Sequence, residues 1–418
     1  KGKTLMNVTG IIAEYNPFHM GHLHQIKYIK ETLQSDYIVI AMSGDFVQRG
    51  APGLLPKHIR AEMALRCGAD LVLELPVQFS SASAEFFAHG GVSLLNGLGV
   101  VDQLCFGSEE GNTEGMLLAA RILNQEPAEY QTLLQTYLKQ GMSFPAARSK
   151  ALNNYLLLLP GSTHQTVSPE LLSSPNNILG IEYCRAILSL NSHMKPVTLK
   201  RKGNDYHENT LSKGQLPSAS AIRSFLQKAK DLSPVGEMLP EPAFELLQKA
   251  FLQGAYVTED DLDLLLHYKL LSSSAEELAA CADLSPQLAD RIRNQLNHYQ
   301  GFAQFAEHLK TKELTRTRIQ RALLHLLLNI KETPREAGYC RILGFRKDSA
   351  PLLSEIKKNS SLPLITKMAD AKELLSPKDR KLLDTNTEAS NIYESILCHK
   401  TGRAFRHEYQ KQIVIFTY

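Results

Sequence analysis

The sequence predicts an α/β fold: a parallel, doubly wound sheet carrying a helical insertion, followed by a mainly α-helical C-terminal region. Three observations predict it. Short apolar runs at Val8–Ala13, 37–42, 70–75, 101–106 and 196–200 alternate with amphipathic stretches at 21–33, 58–67 and 84–95. Strands alternating with helices in this way build parallel sheets. Residues suited to chemistry fall just beyond the runs: His19 after the first, Asp45 after the second, Gly107 after the fourth and Arg201 after the last. That is the edge at which open α/β sheets hold ligands. After Lys230 the alternation stops; Pro234, Pro240 and Pro242 punctuate a linker, and the remainder reads as helical with no convincing strand.

The elements follow in chain order. Val8, Gly10, Ile11, Ile12 and Ala13 form an apolar run too short for a buried helix. Asn16-Pro17 ends it, because the residue before proline is pushed out of the helical region. Leu23, Ile26, Ile29 and Leu33 then recur at helical spacing, with Lys27 and Lys30 between them. Gly21 falls at the helix start, where a missing side chain is expected to let an anion approach the backbone. His19 and His22 lie three apart on that first turn, so both imidazoles reach one point and can donate hydrogen bonds near neutral pH. Paired histidines also suit a metal, but no Cys or Asp cluster at ligand spacing lies nearby, so no protein-held metal is expected.

The stretch 111–172 reads as helices inserted before the last strand. Beyond that strand, Ser218-Ala219-Ser220-Ala221-Ile222-Arg223 reads as a capped helix start. Ser220 is the expected cap of the helix that Ala221 opens, and Arg223 projects from its first turn as a fixed positive charge.

A chain of 418 residues is too long for one core, and the change in character divides it into 1–230 and 231–418. The net charge of +3 is nearly balanced, so any nucleic-acid surface must be local. The best candidate lies at 314–330, where Arg316, Arg318 and Arg321 crowd the first turns of an apolar-striped helix. From 311 to 347 nine Lys/Arg face three Glu, with Arg335, Arg346 and Lys347 extending the run. Such a run is a solvated helix face or a footprint for RNA phosphates; clustering in a nearly neutral chain favours RNA. The six cysteines are scattered without a Cys-x-x-Cys, the pattern of a reduced cytoplasmic protein. The basic start is not followed by a long apolar stretch, so no signal peptide is expected. No run approaches 18 apolar residues, and no membrane span is expected.

His19-Met20-Gly21-His22 and Ser218–Arg223 together resemble the two signatures of the HIGH superfamily of nucleotidyltransferases and class I aminoacyl-tRNA synthetases. In that superfamily His-x-Gly-His follows the first strand of a Rossmann-like sheet, and a Ser-rich turn ending in Ile-Arg opens a late helix. Longer strings are similar to the bacterial tRNA(Met) cytidine acetate ligase family. They are Glu14-Tyr15-Asn16-Pro17-Phe18-His19, Ser43-Gly44-Asp45-Phe46-Val47-Gln48-Arg49-Gly50, Phe106-Gly107-Ser108-Glu109, Pro175-Asn176-Asn177-Ile178-Leu179-Gly180-Ile181-Glu182-Tyr183 and Lys200-Arg201-Lys202-Gly203. The likeness covers most of 1–230 and continues more weakly to the C-terminus.

The resemblance implies a catalytic domain over 1–230 and a tRNA-binding region over 231–418. It implies that ATP, with Mg²⁺, and acetate form acetyl-adenylate, and that the acetyl group passes to N4 of the wobble cytidine of elongator tRNA(Met). It places ATP against Ile12, Glu14, Tyr15, Asn16, Phe18, His19, Gly21, His22, Gly107, Asn176, Arg201, Ser218 and Ser220. It makes His19, His22, Asp45 and Arg223 the catalytic candidates, and Arg316, Arg318, Arg321, Arg335, Arg346 and Lys347 the tRNA candidates. Asn176 and Asn177 fit equally as a helix cap, and Ser43-Gly44-Asp45 equally as a tight turn. Arg49, Lys57 and Arg60, on the loop and helix that follow, are further candidates for phosphates. The alternative is a small-molecule adenylyltransferase joining ATP to a mononucleotide, which the long basic helical region disfavours. An RNA-binding protein with an inactive nucleotide fold is disfavoured by the intact His19, Gly21, His22, Ser220 and Arg223.

Overall fold

The computed structural model describes residues 6–159, 168, 170–201, 218–227 and 231–417. Residues 1–5 and the Lys202-Gly203 part of the similarity lie outside them. The strands are β1 (Val8–Ala13), β2 (Tyr37–Ser43), β3 (Phe46–Val47), β4 (Ala51–Pro52), β5 (Leu71–Leu75), β6 (Gln103–Ser108), β7 (Lys195–Lys200), β8 (Cys340–Arg346), β9 (Leu364–Ile365) and β10 (Val414–Phe416). The main sheet runs β10-β8-β5-β2-β1-β6-β7, with β9 pairing β8 off that path, while β3 and β4 form a separate hairpin. Every pair from β5 through β2, β1 and β6 to β7 is parallel. Residues Val8–Ile12 and Ile38–Ser43 are all buried, as strands covered on both faces must be.

One face of the sheet is covered by the helices Ala84–Gly97 and Pro175–Ser189. The other is covered by Met20–Glu31 and Lys57–Arg66, with Glu241–Leu252 packed against the second of these. Gly10 lets the helix Ala84–Gly97 approach: a Cβ there would stand 2.7 Å from Leu95 Cδ1. The insertion contributes the helices Thr113–Gln125, Ala128–Lys139 and Phe144–Leu158. A second, mainly helical cluster is built from the chain around 257–330 and from Ala389, Tyr393, Ile396 and Leu397, joined by Phe46 of β3 and Val77.

The expectation of no strand after residue 230 is corrected. β8 lies antiparallel to β5, and β10 lies parallel to β8, so the C-terminal region finishes the sheet that the N-terminal region begins. The compositional change near 230 is therefore not a boundary between separate sheets. β8 is hard to read as a buried strand because it carries Arg341, which is 3% exposed and pairs with Glu74 at 2.7 Å and Glu408 at 2.6 Å.

Those carboxylates belong to a buried ion network that joins distant parts of the chain. Lys57, fully buried, lies 2.6 Å from Glu74, 2.7 Å from Glu408 and 3.6 Å from Asp45, and donates to Ser390 at 2.7 Å. Arg60 is fully buried as well. Both were candidates for phosphates; neither reaches the surface to meet one. Burial alone would raise the Glu408 pKa, but Lys57, a hydrogen bond from His58, Arg341 and Lys411 hold it far below the carboxylate range. Burial likewise opposes ionisation of Asp45, and Lys57 and Lys411 reverse that effect. Both groups ordinarily take up protons near pH 4, so the stability they lend is complete above that range, begins to be lost as the pH enters it and goes on falling toward their depressed folded values. Acid unfolding monitored by circular dichroism should steepen below about pH 4.5, and Glu408→Gln should be less stable than the parent at pH 7 and lose less on acidification.

Candidate active site

His19 is the N-cap of the helix Met20–Glu31, in extended backbone with φ −140°. Its Nδ1 accepts the Gly21 amide at 3.0 Å, and the His22 Nδ1 accepts the His19 amide at 3.1 Å, closing a capping box made of two imidazoles. The rings stack with centroids 3.7 Å apart and planes 26° apart. Because both Nδ1 atoms accept hydrogen bonds, each neutral ring carries its proton on Nε2. The turn therefore has two Nε2–H donors in fixed tautomers beside the positive end of a helix.

Gly21 has a second use beside the one expected. A Cβ there would stand 2.8 Å from His19 Cε1, so the glycine makes room for the capping ring itself. Tyr15 and Phe18, both almost fully buried, are packed around His22 with ring centroids at 4.7 and 5.4 Å. They set the ring's position from the protein side. Tyr15 has φ +47°, a left-handed backbone uncommon for an aromatic residue.

Three charged side chains converge on this turn. Arg223 Nη1 donates to the Asn16 carbonyl at 2.7 Å. Arg201 follows β7 next to Gly107 of β6, its Cγ 3.5 Å from where a Gly107 Cβ would sit. Glu14, at the end of β1, accepts the Gln48 amide at 3.0 Å. Burial first, then the charges of Arg201 and Arg223, lowers the His19 pKa to about 3. Burial, His19 and Arg201 lower that of His22 in the same direction. Both rings are neutral donors at physiological pH.

A measurable consequence follows from the sign of these shifts. An unfolded chain protonates its histidines below pH 6.5, whereas the folded protein does not protonate His19 until about pH 3. Between those values the unfolded state binds more protons, so stability falls with falling pH, by about 1.4 kcal/mol per pH unit for one such ring. Denaturant titrations of the parent and His19→Gln at pH 7 and pH 5.5 should show the smaller loss in the variant.

The late helix begins two residues earlier than expected. It spans Ala219–Leu226, and Ser218, not Ser220, is its cap, accepting the Ala221 amide at 3.1 Å. Ser220 instead accepts from Arg223 Nη2 at 3.3 Å and steadies that guanidinium. Asn176 and Asn177 lie in the first turn of the helix Pro175–Ser189, whose N-cap is Ser174. The missing cap is Glu109, a residue that spacing alone does not mark. Its carboxylate accepts the Asn177 amide at 2.9 Å and the Asn176 side-chain amide at 2.7 Å, while Asn177 Oδ1 accepts the Glu109 amide at 3.0 Å. A carboxylate at a helix N-terminus is favoured by the helix dipole; its sequence signal is its place in Phe106-Gly107-Ser108-Glu109. Ile12 is buried in β1 against Gly91, where a Cβ would meet its Cδ1 at 2.7 Å.

Asp45 does not join this group through any contact of its carboxylate. It is 4% exposed, and Oδ1 accepts the Lys57 amide at 3.0 Å within the ion network.

The arginine-rich helix, Arg316–Leu327, does lie on the site's side of the sheet. Gly50, in the hairpin after β2, has φ +74° and approaches it so closely that a Cβ would stand 2.5 Å from the Arg321 amide. Arg316 lies 3.9 Å from Glu259, a carboxylate that also acts electrostatically on Arg223. Arg318 is exposed. Arg321 is largely covered and paired with Asp283 at 3.0 Å. Arg335 is exposed on the loop before β8. Arg346 and Lys347 are not part of the same surface. The Arg346 amide donates to the Asp70 carbonyl at the N-terminal end of β5, the edge opposite the histidines.

With this geometry in place, comparison with known proteins is informative. The family model described as HIGH Nucleotidyl Transferase matches residues 6–408. A tRNA(Met) cytidine acetate ligase of Clostridium acetobutylicum is 43% identical over 371 residues, covering 87% of this chain and 90% of that relative. One of Acetivibrio thermocellus is 36% identical over 424 residues, covering 98% and 100%. The crystal structure of Thermotoga maritima TmcAL in its apo form I superposes with a TM-score of 0.92 at 31% identity, covering 99% of this chain and 100% of that one. Its form II, bound with alpha-thio ATP, gives a TM-score of 0.88 with the same coverage.

Proposed function

The chain belongs to the tRNA(Met) cytidine acetate ligase family of HIGH nucleotidyl transferases, and from that premise we propose that it activates acetate with ATP and acetylates N4 of the wobble cytidine of elongator tRNA(Met). The observation that carries this reading is the pair of neutral, stacked imidazoles whose Nε2–H groups share a helix N-terminus with Arg201 and Arg223. Four donors of this kind suit a polyphosphate that gains negative charge during reaction.

In the first step an acetate oxygen bonds to the α-phosphorus as the bond from that phosphorus to the pyrophosphate oxygen breaks. Charge grows on the departing pyrophosphate, where His19, His22, Arg201 and Arg223 donate to it. The imidazoles donate without giving up a proton, so no acid has to be regenerated between turnovers. In the second step N4 of cytidine attacks the acetyl carbonyl carbon, the carbon–oxygen bond to AMP breaks, and N4 loses a proton. Unstacking the wobble base costs little because an anticodon loop is single-stranded. Mg²⁺ enters as part of the nucleotide substrate; among the described residues no group of three His, Cys, Asp or Glu side chains is placed to hold a metal ion. No helix among them is long and apolar enough to cross a membrane; a cytoplasmic place accords with a tRNA substrate.

Acetate-dependent ATP–pyrophosphate exchange tests the first half. Exchange that requires acetate and ignores mononucleotides supports the ligase; exchange that requires a mononucleotide instead supports the alternative. For the tRNA half, the reading gives Arg316 and Arg318 the larger share of the phosphate contacts, since Arg321 already has Asp283 as partner. Reversing Arg316, Arg318 and Arg321 to Glu should weaken tRNA binding on the order of a hundredfold and flatten its salt dependence. Reversing Arg346 and Lys347, on the far edge, should change it by less than about twofold. Fluorescence anisotropy with unmodified elongator tRNA(Met) at several salt concentrations measures both.

A further inference from the structure

Arg60 is fully buried, and Asp45, Glu14 and Glu74 act on it electrostatically, yet its hydrogen bonds reach no carboxylate among the described residues. Its donors go to main-chain carbonyls instead. Nε donates to Leu55 at 2.9 Å, Nη1 to Glu14 at 2.6 Å and to Ser43 at 3.1 Å, and Nη2 to Gly44. Glu14 directly follows β1, Ser43 ends β2 and Gly44 follows it, and these neighbouring strand ends carry the histidine turn and the loop toward the hairpin. Leu55 belongs to the loop that Asn16 also fastens, since Asn16 Oδ1 accepts the Leu54 amide at 2.7 Å. Asn16 is in turn the residue whose carbonyl holds Arg223. A buried cation whose donors all go to main-chain carbonyls is not what stability alone selects, because a neutral side chain of similar volume avoids the desolvation cost.

We propose that Arg60 is a positioning residue for the adenylation step: it clamps the ends of β1 and β2 and thereby holds the turn that presents His19, His22 and Arg223. Arg60 does not touch the nucleotide. The proposal rests on the assignment of that turn to ATP.

Two variants test it. Arg60→Lys keeps the charge and cannot reach all four carbonyls from one ammonium. Gly53→Ala leaves Arg60 in place but adds a Cβ 3.1 Å from its Nη2, which moves the guanidinium by a few tenths of an ångström. Leu323→Ala, in the mainly helical cluster, is the control for loss of stability alone. Calorimetric ATP binding, acetate-dependent pyrophosphate exchange and melting temperature are read for all of them. ATP affinity and exchange kcat should each fall about tenfold in Arg60→Lys and about threefold in Gly53→Ala. Leu323→Ala should melt lower than the parent with both quantities unchanged. Arg60→Met should be worse than Arg60→Lys, so that the lysine is a partial rescue. Should the Arg60 variants fail to fold, Gly53→Ala alone decides. ATP affinity and kcat within the error of the parent in the folded variants would overturn the proposal, as would losses that Leu323→Ala reproduces. A parent that binds no ATP would overturn the assignment of the turn as well, whereas a parent that binds it beside unaffected variants overturns only the role of Arg60.

Discussion

His22→Ala should lower acetate-dependent pyrophosphate exchange by about 10²–10³-fold, the usual cost of removing a preorganised donor to a developing anion. tRNA affinity should stay at the parental value, because the arginine helix is a separate element. The effect is large for two reasons that can be separated. The ring supplies an Nε2–H to the site, and its Nδ1 accepts the His19 amide that opens the helix. His22→Asn can retain the cap while losing the outer donor, and His22→Gln can do the reverse. If donation dominates, Gln recovers more exchange activity than Asn. If the cap dominates, Asn recovers more, and its helix start resists amide hydrogen exchange as the parent's does. Equal exchange rates in the parent and His22→Ala would remove the imidazoles from the chemistry.

The second large effect concerns the fold. Lys57→Met should destabilise the protein by about 3–5 kcal/mol, the cost of leaving buried carboxylates without their cation. Lys57 is in contact with Glu74 and Glu408 and near Asp45, so its removal gathers three negative groups around a neutral side chain. Glu408 lies close to the C-terminus and Glu74 in β5, so the loss should loosen the C-terminal segments from the sheet as well as lower the urea midpoint. Equilibrium urea unfolding gives the magnitude. Lys57→Met combined with Glu408→Gln should recover part of the loss, since the two groups are coupled. A midpoint equal to the parent's would mean that Arg341 and Lys411 alone balance these carboxylates.

The parts of the molecule that were legible in the sequence are those whose signals are local. β1, β2, β5 and β6 show as apolar runs because they are covered on both faces, and the turn after β1 shows because His19, Gly21 and His22 lie within four residues of one another. What was hidden depends on partners far away in the chain. β8 reads poorly because Arg341 interrupts it, and only Glu74 and Glu408, 267 and 67 residues distant, make that arginine acceptable in a core. Arg60 and Lys57 look like surface charges until the strand ends and carboxylates that enclose them are in place. The steric need for Gly21 is hidden because a ring folding back over its own helix start leaves no trace in spacing. Arg346 and Lys347 extend the basic run along the chain, but an antiparallel strand carries them to the opposite edge of the sheet.

The most direct test of the account is transfer of labelled acetate to unmodified elongator tRNA(Met) by the purified protein, with ATP, acetate and tRNA each omitted in turn. Label appearing at N4 of the wobble cytidine, only when all three are present, is the predicted result. ATP turnover that needs a mononucleotide and leaves the tRNA unlabelled would contradict it.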